Sequence, residues 1–334
     1  MPVRVTLARK DPNLVGLGIG YSTEDDGLRG RITWEKPLLN TRGHSATAEI
    51  GLSAVRQNAS VGYRIPRGTD PLYNYYNFEY GVQHEDRGDG IESFLSALNV
   101  ERVRRLNHDW TESLFVRWER ETSTIADVER TTDLVLPGVS YGRSRSKGRP
   151  FLSWGQSTSF ELLYGSRELL STIDLLKSTV SFKYLRAVTP RNAFILSLQY
   201  GAISTNDFSR VPASQRFFAG GDRSIRGYKY RDVSPRENGE DGEEDEDGEA
   251  IGGRYLEILN LEYNYRFLDR WSAALFVDAG RAFNEFDRAY SAGAGAGIRW
   301  QSPVGPFRLD VATPIDDSDR NRGVRVHISL GPDF

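Results

Sequence analysis

Along most of its length the chain alternates apolar and polar residues one by one, the period of a β-strand with two unlike faces. In "LNLEYNYRF", Leu259, Leu261, Tyr263, Tyr265 and Phe267 share one face, and Asn260, Glu262, Asn264 and Arg266 the other. In "WSAALFVDAG", Trp271, Ala273, Leu275 and Val277 oppose Ser272, Ala274, Phe276 and Asp278. Near the C-terminus Val324, Val326, Ile328 and Leu330 oppose Gly323, Arg325, His327 and Ser329. Marking each such run between Gly, Pro, Asn and Asp turns predicts sixteen strands, near 14–21, 28–35, 44–55, 58–65, 75–84, 92–104, 110–120, 134–142, 157–164, 174–185, 193–200, 255–267, 271–279, 289–300, 306–312 and 323–330. No stretch keeps a convincing helical period. "ERVRRL" and "SRELLSTIDLLKS" come nearest, the second as a turn or short helical piece before a strand, so the expected fold class is all-β.

Alternation does not say which face is wet. In a sandwich the apolar face meets the core of the domain; in a membrane barrel it meets lipid, and the polar face lines the lumen. Three features favour the barrel. Aromatics recur at strand ends, where an interfacial girdle would lie: Trp34, Tyr63, Tyr164, Tyr184, Tyr200, Tyr265, Trp271 and Trp300. Connections are expected to alternate between tight ones, such as "FLDR" and "RQN", and long polar ones, such as 121–133 and 201–254. The even strand number lets both termini lie on one side.

Composition narrows the chemistry. The 334 residues contain no cysteine, which excludes disulfides and thiolate metal sites, and the four histidines stand apart from one another. No apolar run approaches the roughly 20 residues of a membrane helix. The formal charge of −3 conceals nine acidic residues between Glu237 and Glu249, so the remainder is net basic. No compact basic patch with aromatic platforms suggests nucleic-acid binding. "GLGIGYS" and "GAGAGI" share glycines with a dinucleotide fingerprint, but their glycines continue with period two and no helix follows. Neither a nucleophile–base pair nor a metal cluster is recognisable, so no enzyme activity and no cofactor are expected. No export signal precedes the strands, which leads us to expect a longer protein, with residues 1–13 as a linker and 14–334 as the barrel.

Five separated segments carry a family resemblance. "FFAGGDRSIRGY" at 217–228 resembles the loop-6 signature of the Omp85 superfamily of outer-membrane assembly and translocation barrels, and "FVDAG" at 276–280 its next motif. "LGIGYSTEDDGLRGRITWEKPLLNTRGHS", "IRWQSPVGPFRLDVATP" and "SLGPDF" are similar to the TamA branch, without its three periplasmic POTRA domains.

The resemblance implies a sixteen-stranded barrel in which the loop between strands 11 and 12, residues 201–254, folds back into the lumen. There Arg226 would meet Asp278 and Glu262. Gly227 would allow the tight backbone that presents the arginine, Gly220 and Gly221 would bend the loop, and Phe217, Phe218 and Tyr228 would seat it. A lateral gate would lie between the first strand, with Gly16, Gly18 and Gly20 on one face, and the last, flanked by Gly323 and Pro332. Val326, Ile328, Leu330 and Phe334 resemble the β-signal by which such proteins are themselves inserted by the BAM complex. The implied function is insertion of β-barrel proteins and autotransporters into the outer membrane. The implied partners are a TamB-like periplasmic protein, client barrels and outer-membrane lipids, and phospholipid transport is a further possibility. The alternatives are a polypeptide-secreting pore of the same superfamily and, in a different class, a passive porin. The acidic run is expected to be a solvated extracellular insertion, with divalent-ion binding as its second reading.

Overall fold

The computed structural model describes residues 11–23, 27–68, 70–86, 91–125, 128–148, 151–236, 248–286, 289–302, 305–316 and 323–330. It contains sixteen strands: β1 (Leu14–Ser22), β2 (Gly27–Lys36), β3 (Ser45–Ser53), β4 (Arg56–Pro66), β5 (Tyr75–Asp86), β6 (Ile91–Arg105), β7 (Thr111–Ile125), β8 (Val128–Lys147), β9 (Trp154–Gly165), β10 (Leu175–Ala187), β11 (Asn192–Thr205), β12 (Tyr255–Leu268), β13 (Trp271–Phe283), β14 (Ser291–Ser302), β15 (Gly305–Pro314) and β16 (Arg325–Leu330). Each pairs antiparallel with its neighbours in sequence, and β16 returns to β1, so the sheet closes into a barrel. Closure suits a hydrocarbon surrounding, where an unpaired backbone group costs several kcal/mol.

The period-two pattern becomes the two faces of the wall. Along β13, Leu275 and Val277 are exposed outward while Ala274, Phe276 and Asp278 are buried inside. Exposed Leu198, Leu259 and Leu261 continue the outer apolar surface across β11 and β12. At one rim Trp271 stacks on Trp300 across the β13–β14 pair with ring centroids 5.4 Å apart, a girdle arrangement suited to the aromatic amphipathic ring.

Two expectations about connections are corrected. Residues 121–133 do not form a long loop: the β7–β8 ladder continues through Glu121↔Thr132 to Ile125↔Val128. The polar residues there are strand residues whose inner face is covered. Glu121 is 1% exposed and accepts from the backbone N–H of Ser214 at 3.2 Å. Short and long connections also fail to segregate by end. The two-residue join 54–55 shares an end with the segment between β11 and β12, because both follow odd-numbered strands. The "RQN" segment lies within β4 rather than in a turn. A single 3₁₀ turn at Arg167–Leu169 is all that forms in the "SRELLSTIDLLKS" stretch before β10.

The interior is filled unevenly. An apolar cluster joins Leu134, Leu136, Leu163, Leu175 and Ile203 of the inner wall to Val211, Phe217, Ile225, Tyr228 and Val233 from the segment between β11 and β12. Inward positions that meet this segment are apolar within this cluster and charged where its polar groups are paired, as Glu121 is with Ser214. Of the acidic run, only Gly248 and Glu249 belong to the described residues.

The β1–β16 join is made by the first and last strands, which no turn connects. β1 pairs with β2 over its whole length, from Leu14↔Glu35 to Ser22↔Gly27. Toward β16 the described register holds Tyr21↔Leu330 and Ser22↔Ser329, extended by Thr23, whose N–H donates to the Ile328 carbonyl at 3.2 Å. Pro332 and Phe334 lie outside the described residues. Gly323 precedes β16, has nothing within 4 Å of its Cβ direction and takes no part in the described register; the strand begins at Arg325, where pairing with Ala312 starts.

Candidate functional site

The segment between β11 and β12 is organised by its own side chains before it meets the wall. Arg216 donates to the carbonyls of Val211 and Ile251, both at 2.8 Å, and to those of Ser209 and Phe208 at 3.1 and 3.2 Å. Phe217 pairs with Gly253 through two backbone bonds of 3.0 and 2.7 Å, and its ring covers Gly201, which a side chain there would displace. Phe218 is half-buried beneath the Arg231 guanidinium, 4.3 Å from the ring centroid. Gly220 and Gly221 have φ of 107° and 95°, left-handed values that glycine adopts without strain. They turn the chain towards its tip.

At the tip Arg226 forms a fork with Asp278. Nε donates to Oδ2 at 2.6 Å, Nη2 to Oδ1 at 2.9 Å, and the Arg226 backbone N–H adds a third bond at 3.1 Å. Nη1 reaches Glu262 at 2.8 Å and Asp310 at 3.4 Å. The guanidinium lies 3.5 Å from the Phe276 ring centroid, so it combines bidentate pairing with a cation–π contact, which a lysine could not reproduce. Burial works against its charge, but the hydrogen bonds and charge of Asp278, with Glu262 and Asp310, outweigh burial and raise its pKa above the ordinary arginine value. It therefore stays a cation throughout the physiological range.

The structure thus brings together Arg226, Gly227, Tyr228, Glu262 and Asp278, and adds residues that the motifs did not mark. Arg299 of β14 bridges Asp310 at 2.5 Å and Glu262 at 3.0 Å, supplying the second cation for three carboxylates. Gly227, at φ 101°, lies against Thr313, where an added Cβ would come within 2.9 Å of a backbone carbon. Its N–H donates to Nε2 of His327 on β16 at 3.1 Å. The Tyr228 hydroxyl donates to Asp316 at 2.5 Å. The alternate glycines of β14 form the floor: Cβ atoms at Gly293, Gly295 and Gly297 would collide with the Arg226 carbonyl, Phe276 and Asp310 respectively. "GAGAG" is the signal that could have located them, since glycine at every inward position of a strand marks a close approach.

Two further anchors hold the segment elsewhere on the wall. Arg231 donates to Glu85 of β5 at 3.0 Å, and Glu85 also accepts from Arg56 at 3.0 Å. Gln215 joins Glu119 at 2.7 Å and Lys177 at 3.1 Å. Beside the tip a cavity of about 1080 Å³ remains, lined by β1, by β2, by Ser329 and Leu330 of β16, and by Arg226 and Glu262. Gly18 and Gly20 line it; Gly16 lies further along the same face, with Thr33 filling the place of a side chain.

The family model for the Omp85 superfamily domain matches residues 38–334. The chain belongs to the Omp85 superfamily. It is 26% identical over 350 residues to the outer membrane protein assembly factor BamA of Nitratidesulfovibrio vulgaris, covering 96% of this chain and 42% of that protein. It therefore spans about two fifths of that relative's length. Among solved structures the fold matches BamA from Haemophilus ducreyi lacking POTRA domains 1–3, with a TM-score of 0.84 at 15% identity, over 96% of this chain and 70% of that one. It also matches CdiB from Escherichia coli, with a TM-score of 0.62 at 16% identity, over 97% and 64%. As a superfamily member with a closed sixteen-strand wall, this chain is a multi-pass β-barrel of the outer membrane.

Proposed function

We propose that this barrel assists the insertion of other β-barrel proteins into the outer membrane by opening between β1 and β16. The observation that carries the reading is the place of the join: β1 and β16 are the first and last strands, meeting where no turn links the pair, and the cavity beside the Arg226 tip is lined by both. Once freed, the β1 edge offers backbone donors and acceptors to an incoming strand. Such augmentation binds clients of many sequences, because its affinity comes from main-chain bonds. The client's own folding and burial of its apolar face in lipid supply the energy, without nucleotide. The clasped segment keeps the lumen occupied, which disfavours a passive porin and supports an assembly or secretion role. In the finer reading, the likeness of residues 17–45, 298–314 and 329–334 to the TamA branch points to autotransporters among the clients, a TamB-like periplasmic partner and outer-membrane lipids as the working surface.

The test is a reversible bond across the join. The chain has no cysteine, so Tyr21→Cys with Leu330→Cys introduces the sole thiol pair at directly opposed positions, within the Cα separation that a disulfide requires. Oxidation is expected to stop client assembly and reduction to restore it. Full assembly with the bond formed rejects opening at this join, and loss that reduction does not restore rejects a reversible gate.

A further inference from the structure

The glycine lane of β1 does more than thin the wall. Gly18 pairs with Arg31 and Gly20 with Arg29, and both arginines line the cavity beside the join. An added Cβ at Gly20 would lie 2.7 Å from Arg29 Nε and 3.2 Å from its Cγ; at Gly18 it would lie 3.8 Å from Arg31 Nε. The two side chains therefore lean from β2 back over β1, through space that any other residue would fill. They stand two residues apart, the repeat of one face of a strand, roughly 7 Å. Arg31 has one distant partner, Glu49 at 3.8 Å, and is 63% exposed. The cavity around them holds more arginine and lysine than aspartate and glutamate.

We propose that Arg29 and Arg31 form a guanidinium shelf that selects incoming strands with acidic residues at alternate, inward-facing positions. This rests on the reading that β1 receives a client strand. A strand added to the β1 edge places its inward side chains opposite Gly16, Gly18 and Gly20, with Cβ positions about 5 Å away. There the shelf lies nearer than any outward residue, and a carboxylate on every second residue matches the spacing of Arg29 and Arg31. The alternation that turns an apolar face to lipid thus also presents the charge that is read inside.

The test uses the full chain in proteoliposomes and three ten-residue peptides with valine at odd positions and Asp, Ser or Lys at even ones. Each carries a photoreactive group, and adducts to β1 are mapped by mass spectrometry. The Asp peptide is expected to label β1 roughly fivefold more than the Lys peptide, the scale of two exposed ion pairs, with the preference shrinking as salt rises. Arg29→Ala with Arg31→Ala should abolish the preference and Arg29→Glu with Arg31→Glu should invert it. Gly20→Ala, which displaces the Arg29 guanidinium without removing its charge, should weaken it. Heat-modifiable migration confirms that each variant is folded. Equal labelling by the Asp and Lys peptides, or a preference that survives both double substitutions, overturns the shelf alone. Labelling of β1 by none of the three overturns the strand-receiving reading beneath it.

Discussion

The hydroxyl of Ser22, on the first strand, donates to Asp222 of the β11–β12 segment at 3.0 Å. Five residues later the same segment holds the last strand, through Gly227 and His327. The segment therefore touches both sides of the β1–β16 join from within, while its arginine is fixed to β12 and β13, three and more strands away. The join is thus also tied through a third element, and separation of β1 from β16 must stretch one of these contacts or move the segment.

Removing the first tie should make the join looser. A hydrogen bond to a carboxylate contributes about 1.5–3 kcal/mol, so Asp222→Ala is expected to raise the open fraction roughly ten- to a hundredfold. Spin labels on β1 and β16 measure this as growth of a long-distance population. An unchanged distance distribution in Asp222→Ala and in His327→Ala would show that the ties carry no share of closure.

Arg226→Ala should cost more than any other substitution at the tip. It leaves Asp278, 0% exposed, without its fork, while Arg299 still bridges Glu262 and Asp310. Breaking a buried pair from one side costs about 3–5 kcal/mol. Arg226→Lys, which keeps the charge but loses the two-pronged geometry, should fall between the two. The readouts are the temperature of the heat-modifiable transition and cleavage of the 206–254 segment by added protease. Equal protease resistance in Arg226→Ala and wild type would remove Arg226 as the anchor of the segment.

Gly293→Ala tests the floor under the tip without touching a charge. The new methyl would overlap the Arg226 carbonyl, a backbone atom that cannot rotate away, and overpacking of this kind costs about 1–3 kcal/mol. Gly142→Ala on β8, with nothing within 4 Å of the added atom, is the control and should be neutral. If both substitutions leave the segment equally protected from protease, the glycine floor does not position the tip.

The sequence made some of these relations legible and hid others for physical reasons. Strand number and the facing of Leu275 and Asp278 follow from side-chain period alone, because each β-residue reverses direction. The meeting of Arg226 with Asp278 and Glu262 was legible through motif likeness. Arg299, Asp310 and His327 were not, because each is simply one polar residue on an alternating strand, and only the register shared by β12 to β16 brings them to one point. The strand extension at 121–133 was hidden because Glu121 looks solvated in sequence. Its burial depends on Ser214, 93 residues away. The shared face of Gly16, Gly18 and Gly20 is legible, but not that Thr33 and Arg29 of β2 stand where side chains at Gly16 and Gly20 would be.

The depth of the outer face in lipid can be tested by a single pair of substitutions. Leu275 is 59% exposed on the outside of β13, while its neighbour Ala274 is 2% exposed and points inward. If the outer row meets hydrocarbon, Leu275→Arg should destabilise the barrel in lipid by about 2–4 kcal/mol when it lies near the midplane, and by less towards either rim. The same substitution at Tyr265, one strand away at the rim side of β12 and 39% exposed, should cost well under half as much. Equilibrium unfolding in urea from large unilamellar vesicles measures both. Equal costs at the two positions, or no cost at Leu275, would mean that this face does not look onto a membrane interior.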